Sequence, residues 1–166
     1  MGVYLSVKWI IDGYNVIHSD PRLAKALAHS LEAGREDFLL EIQKSPIKHE
    51  KILVVFDGRY ESPKEEYGRD IEVRYSARGQ SADDLIRAEI AAASRRRSIT
   101  VVSDDHAVAG YARECGAIAA SSREFISAIR TPKNGKDRRE SSSREKPESG
   151  GKIDEELLRL FKGKQR

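Results

Sequence analysis

The stretch Trp9-Ile10-Ile11-Asp12-Gly13 places three apolar residues directly before an aspartate and a glycine. The pattern recurs at Val54-Val55-Phe56-Asp57-Gly58 and, in a related form, at Val101-Val102-Ser103-Asp104-Asp105. Short continuous apolar runs are typical of buried strands that helices cover on both faces. We therefore predict parallel strands that each end in an aspartate. Such strand ends meet at one edge of an open α/β sheet, where ligands bind.

Strand-like and helical patterns alternate along the first 130 residues. Strands are predicted over residues 7–12, 51–57, 70–76, 99–103 and 117–120. Helices are predicted from Pro21 onward and over residues 35–43, 81–97, 105–115 and 122–129, with Gly116 as a helix C-cap. This alternation predicts a three-layer α/β sandwich with a mainly parallel sheet.

The charge of the chain is divided unevenly between its body and its tail. The net charge is +3, but residues 131–166 hold 11 Lys/Arg and 7 Asp/Glu, so residues 1–130 carry a net −1. We predict one domain over 1–130, a disordered linker over 131–151 that is too polar to form a core, and a short amphipathic C-terminal helix over 152–166. The apolar stripe of that helix consists of Ile153, Leu157, Leu160 and Phe161.

Several classes of protein are excluded or disfavoured by composition. No apolar stretch approaches the roughly 20 residues that span a membrane, so no membrane association is expected. The single cysteine, Cys115, excludes an internal disulfide, and no secretory signal is visible, so we expect a reducing cytoplasm. No phosphate-binding glycine motif occurs, and we expect no small-molecule organic cofactor.

Aspartates gathered at one sheet edge have a chemical consequence. Taken singly, each is more often a strand terminator or a helix cap. Together, their carboxylates repel one another unless a hard divalent cation neutralises them, and oxygen ligands suit Mg²⁺ or Mn²⁺. A fourth candidate, Asp83, lies in the first turn of a predicted helix, where Ser81 and Asp84 form a capping box that gives Asp84 a structural role.

Four motifs together resemble a known family. They are Ile11-Asp12-Gly13-Tyr14-Asn15-Val16-Ile17, Val54-Val55-Phe56-Asp57-Gly58, Tyr75-Ser76-Ala77-Arg78-Gly79-Gln80-Ser81-Ala82-Asp83-Asp84 and Val102-Ser103-Asp104-Asp105. In order and spacing they resemble the NYN domains of the PIN-like nuclease superfamily, and within that group the chain is most similar to the bacterial YacP-like proteins. The resemblance is expected to cover about residues 7–130 and to leave out the linker and the terminal helix.

The resemblance implies a PIN-like, Rossmann-like sheet of strand order 3-2-1-4-5 and a metal-dependent endoribonuclease activity. Position by position, it implies an acidic site of Asp12, Asp57, Asp83 and Asp104, with Asn15 orienting a ligand or water. The metal ligands would be Asp12, Asp83 and Asp104. The adjacent Asp105 either joins them or caps the helix that follows, and the sequence leaves this open.

A candidate RNA-binding surface lies between the second and third predicted strands and the acidic helix. Cations there can reach phosphates, and tyrosines can stack on the splayed bases of single-stranded RNA. A solvated loop is the alternative reading. The cations are Arg59, Lys64, Arg69, Arg74 and Arg78, and the aromatic residues are Tyr60, Tyr67 and Tyr75, with Tyr14 beside Asp12.

The predicted function is hydrolysis of single-stranded RNA by a divalent-metal-dependent endoribonuclease, with a ribosomal surface as a candidate partner of the basic tail. Two other classes are considered. A phosphoryl-transfer enzyme with an acidic metal site is disfavoured, because Gly13 and Tyr14 stand where receiver domains and haloacid-dehalogenase-like phosphatases need a further acid. A non-catalytic RNA- or ribosome-binding module is disfavoured because every expected acidic position is occupied.

Overall fold

The computed structural model describes residues 8–58, 64–67 and 69–131. Six strands form one sheet in the order β3-β4-β2-β1-β5-β6. The strands are β1 (Lys8–Asp12), β2 (Lys51–Phe56), β3 (Lys64–Tyr67), β4 (Ile71–Tyr75), β5 (Ile99–Val102) and β6 (Ile118–Ala120). The helices are α1 (Gly13–Ser19), α2 (Pro21–His29), α3 (Leu31–Lys44), α4 (Ala82–Ala92), α5 (His106–Glu114) and α6 (Ser122–Arg130).

Five of these strands are parallel and confirm the predicted topology. In the order β4-β2-β1-β5-β6 they correspond to 3-2-1-4-5 when only the five predicted strands are counted. The short β3 pairs antiparallel with β4 at the sheet edge and was not predicted. Its sequence, Lys-Glu-Glu-Tyr, has no apolar run, because an edge strand needs only one paired neighbour and little burial.

Two hydrophobic cores lie on opposite faces of the sheet, and the central strand β1 contributes side chains to both. Trp9 and Ile11 face one core, whereas Ile10 faces the other, as the two-residue period of a strand requires. The first core lies beneath α1, α2, α3 and α6 and includes Phe38, Phe56 and Phe125, while the second is closed by α4 and α5. Burial of all three residues of the Trp9-Ile10-Ile11 run explains its uninterrupted apolar character.

Two helices differ from the sequence-based prediction. The residues after Asp12, for which no helix was predicted, form helix α1, and Gly13 is required there because a Cβ would overlap the Phe56 ring. The helix predicted to run to Arg97 ends at Ala92. Arg96 turns back to donate hydrogen bonds to the carbonyls of Ile90 (3.2 Å) and Ala91 (2.9 Å), which satisfies acceptors that a helix end leaves free.

Two predicted caps are confirmed. Ser81 and Asp84 form a reciprocal capping box at the start of α4, and Gly116 adopts a positive φ of 84° after α5. The predicted linker beyond Thr131, the terminal helix at 152–166, and Arg59 and Tyr60 lie outside the described residues. Within the described residues, no helix is long and apolar enough to cross a membrane.

Candidate active site

Asp12 ends the central strand and is the most perturbed acid of the sheet edge. One carboxylate oxygen accepts a hydrogen bond from the backbone N–H of Asn15, and the other accepts one from the hydroxyl of Ser103, both at 3.5 Å. Burial raises the pKa of Asp12 to about 6, and the nearby charges of Asp83 and Asp105 add to this, whereas the two hydrogen bonds oppose it. The ionised form of Asp12 is therefore destabilised, because its two hydrogen bonds do not fully compensate for burial and for repulsion by the nearby acids.

Asp83 approaches the same point from helix α4. Its position in the first turn places the carboxylate at the helix N-terminus beside the strand ends. Burial raises the pKa of Asp83, followed in size by repulsion from Asp105, and Asp84 and Asp57 contribute in the same direction. The charge of Arg87, one turn further along α4, opposes the rise. Asp12, Asp83 and Asp105 are thus coupled by mutual repulsion.

Asp105 performs one of the two roles that the sequence left open, the helix cap, and it also lies near the other acids. As the N-cap of α5, it accepts hydrogen bonds from the backbone N–H groups of Ala107 (2.8 Å) and Val108 (3.0 Å) with one oxygen. Its charge also raises the pKa values of Asp12 and Asp83. Asp105 therefore caps a helix and also adds negative charge to the acidic edge, the cluster that it forms with Asp12 and Asp83.

Asp104, the expected member of the pair, is exposed and directed toward helix α6. One of its carboxylate oxygens accepts a hydrogen bond from the backbone N–H of Ser122 at 2.8 Å. Its own backbone N–H donates to the side-chain oxygen of Asn15 at 2.8 Å. This conformation uses Asp104 to connect the loop after β5 to the start of α6.

Asn15 fixes that connection. Its side-chain oxygen accepts from the Asp104 backbone and from the hydroxyl of Ser122 (2.9 Å), which joins α1, the loop after β5 and α6. Ser103 and Ser122 bind residues of the candidate site, and sequence reasoning did not select either serine. Ser122 is fully buried, which its sequence context did not indicate.

Asp57 follows β2 and is exposed to solvent. Its carboxylate accepts a hydrogen bond from the Ser76 hydroxyl (2.7 Å), and the same hydroxyl accepts from the backbone N–H of Gly58 (3.2 Å). Ser76 is buried at the end of β4, so Asp57 is attached to the adjacent strand end. Its charge contributes to the raised pKa of Asp83.

The donor chemistry of this edge suits a hard divalent cation, since the available ligands are carboxylate oxygens that repel one another. In the side-chain conformations of the described residues, no three Asp, Glu, His or Cys side chains are grouped closely enough to hold a metal ion. The charges of Asp83 and Asp105 both act on Asp12, and that of Asp105 also acts on Asp83 together with those of Asp84 and Asp57.

Tyr75, predicted to stack on bases, is instead buried in the core against Phe56. The predicted RNA-contacting cations and Tyr14 fall into three groups. Arg69 and Arg78 are exposed. Arg74 is engaged by Glu72 and by Glu89 of α4, and Tyr14 accepts a hydrogen bond from Arg35 (2.9 Å) while its ring packs on Phe56. For Lys64 only the backbone is described, and Arg59 lies outside the described residues.

Comparisons with known proteins agree with this architecture. The sequence profile of the YacP-like NYN domain matches residues 9–165. The chain belongs to this family. The match continues well past residue 130, so it is wider than the sequence motifs alone indicated, and membership supports a nuclease-type, RNA-related function.

Individual relatives come from Bacillus subtilis. The uncharacterized protein YacP of strain 168 is 26% identical over 157 residues, which cover 92% of each chain. A crystal structure of a point mutant of Rae1 (YacP) has a TM-score of 0.59 and 25% identity, covering 74% of this chain and 73% of that one. Another crystal structure of Rae1 (YacP), 20% identical at a TM-score of 0.59, covers 93% and 79% and supports the fold alone.

Proposed function

We propose that the protein is a divalent-metal-dependent endoribonuclease that hydrolyses phosphodiester bonds of single-stranded RNA. The observation that carries this proposal is the coupling of Asp12, Asp83 and Asp105 at the carboxyl edge of the sheet, with raised pKa values at Asp12 and Asp83. Perturbed acids that repel one another in this way are characteristic of functional sites. Membership of a nuclease-like family makes RNA the expected substrate.

Asp12, Asp83 and Asp105 would hold Mg²⁺ or Mn²⁺, after side-chain rotations that bring their carboxylates closer together. The ion would supply charge neutralisation at the phosphate and an activated water. Asp105 retains one oxygen for this role while the other caps α5. Asp57 lies at the neighbouring strand end, where its carboxylate can orient a water molecule, and the Asp104–Asn15–Ser122 hydrogen bonds hold the loop that carries Asp105.

Single-stranded RNA would reach this edge past exposed cations. Arg69 and Arg78 are the predicted phosphate-binding residues that the structure leaves exposed. A second contact, through the basic tail and a ribosomal surface, is compatible with the +4 charge of residues 131–166.

The proposal is tested by incubating end-labelled single-stranded RNA with the full-length protein and Mg²⁺, Mn²⁺ or EDTA. We expect internal cleavage with either metal and none with EDTA, and products that carry a 5′-phosphate and a 3′-hydroxyl. A 2′,3′-cyclic phosphate, or equal cleavage in EDTA, would contradict a metal-activated water. Binding of the RNA without cleavage under any of these conditions would identify a non-catalytic RNA-binding module instead.

A further inference from the structure

Arg87 lies beside the acidic edge and over an aromatic ring. It lies in α4, four residues after Asp83, on the same face of the helix. Its guanidinium carbon lies 5.3 Å from the centre of the Tyr111 ring of α5. Within the described residues, Arg87 forms no salt bridge with a carboxylate, whereas Arg74 and Arg130 each bind two acids.

A contact with the face of a ring leaves the hydrogen-bonding capacity of a guanidinium open. The ring face offers no oxygen or nitrogen acceptor, so this contact does not use the five N–H donors of the group. Side chains of an α-helix are inclined toward the helix N-terminus, so Arg87 extends toward the turn that carries Asp83. Its positive charge acts on both Asp83 and Asp84, which shows that it lies within electrostatic reach of the acidic edge.

We propose that Arg87 is a phosphate-binding residue of this site, which holds a phosphodiester of the RNA strand beside Asp83. The inference rests on the proposed function in so far as it takes RNA as the ligand. A polyanion that approaches several carboxylates needs a fixed cation nearby, and a guanidinium that already lies on a ring loses little further freedom on binding. Its planar edge matches two phosphate oxygens, which a lysine ammonium cannot match in the same way.

Binding is measured separately from cleavage, so that the two proposals can fail independently. Fluorescence anisotropy with labelled oligouridine in EDTA reports affinity at several salt concentrations, and a gel verifies that the RNA stays intact. Arg87→Gln should weaken binding about tenfold or more, as expected for the loss of a charge-assisted hydrogen bond. It should also reduce the slope of log affinity against log salt by about 0.7, the value for one phosphate contact on a single strand.

Three further variants define the contact. Arg87→Lys keeps the charge, so it should preserve the salt slope with a smaller loss of affinity, and it serves if the glutamine variant folds poorly. Tyr111→Leu removes the stacking ring and should weaken binding while the slope remains. The matched control is Arg113→Gln, which removes an exposed charge near the C-terminus of α5, away from Asp105 at its N-terminus, and should change neither quantity.

Two results would overturn the proposal. One is equal affinity and equal salt slope for wild type and Arg87→Gln. The other is tighter Mg²⁺ binding by Arg87→Gln with an unchanged RNA salt slope, which would mean that Arg87 only offsets the charge of Asp83. If wild type cleaves RNA and Arg87→Gln binds normally, the nuclease assignment stands and the role of Arg87 falls. If wild type binds RNA without cleaving it, the nuclease assignment falls. The RNA affinities and salt slopes of wild type and Arg87→Gln then still test the role of Arg87.

Discussion

Asp12 and Asp20 begin consecutive helices eight residues apart, yet their carboxylates have opposite environments. Both are N-caps: Asp12 caps α1, and Asp20 caps α2 through the backbone N–H groups of Arg22 and Leu23. Hydrogen bonds from Arg130 hold the pKa of Asp20 below its usual value, although burial opposes them. Burial and neighbouring acids raise the pKa of Asp12 to about 6.

The two aspartates differ in the charge of their neighbours and not in their role as helix caps. Arg130 donates two hydrogen bonds to Asp20, at 2.6 and 3.1 Å, and also contacts Glu41, so that this cluster of acids is neutralised within the fold. The acidic edge at Asp12 has neighbouring acids where the Asp20 cluster has an arginine. A capping aspartate is therefore structural when the fold supplies its cation, and available for function when other acids surround it.

The largest effect is expected from removing charge at the acidic edge. Asp12→Asn and Asp83→Asn keep side-chain volume but remove an anionic oxygen, so RNA cleavage should fall by more than about a hundredfold, the upper range for weakening a metal site. Initial cleavage rates of end-labelled RNA, with thermal melting as a check of folding, measure this effect.

The matched control for Asp83→Asn is its neighbour, Asp84→Asn. Asp84 is exposed and accepts hydrogen bonds from Ser81 in the capping box, so its loss should weaken the start of α4 slightly and leave cleavage in place. Wild-type cleavage by a folded Asp12→Asn protein, or equal losses in Asp83→Asn and Asp84→Asn, would remove the distinction between the two kinds of aspartate.

The second effect concerns the neutralised cluster. Arg130→Gln leaves Asp20 without its cation and Glu41 with only the exposed Arg22. Because the cluster is only partly exposed, the free energy of unfolding should fall by about 1–3 kcal/mol. Urea unfolding measures the loss. Arg22→Gln is the control, since Arg22 also contacts Glu41 but its side chain is 75% exposed, and a change below about 0.5 kcal/mol is expected. Equal losses in both variants would contradict the special role of Arg130.

The sequence predicted the parts of the fold that depend on local pattern. The apolar runs before Asp12 and Asp57 placed the strands, and the Ser81–Asp84 spacing predicted a capping box that is present. The hydrogen bonds that arrange the candidate site join distant residues, such as Asn15 with Asp104 and Ser122, 89 and 107 positions away. No local pattern reports such contacts, so the sequence could not decide how the two adjacent aspartates after β5 are oriented.

The same limit applies to the basic residues. Arg74 was predicted to bind RNA because it lies among other cations and tyrosines, whereas in the fold it contacts Glu72 and Glu89. Arg87 has no such neighbours in sequence, and its position over Tyr111 depends on the packing of α4 against α5. Tertiary structure therefore decides which cation is paired with acids of the fold and which cation faces the site.

The smallest effect is a pH dependence of opposite sign for the two caps, measured without metal. The folded-state pKa of Asp12 is raised above its usual 3.8, so its favourable contribution is complete below about pH 4 and is lost as pH rises through about 6. The folded-state pKa of Asp20 is lowered, so its contribution is present above about pH 4 and is lost as pH falls through that lowered value. Urea unfolding in EDTA from pH 3 to pH 8 should therefore show Asp12→Asn becoming more stable than wild type as pH rises through about 6. Asp20→Asn should become less stable than wild type over the same rise. Parallel stability curves for the two variants would show that their carboxylates have equivalent environments, and the contrast between them would be lost.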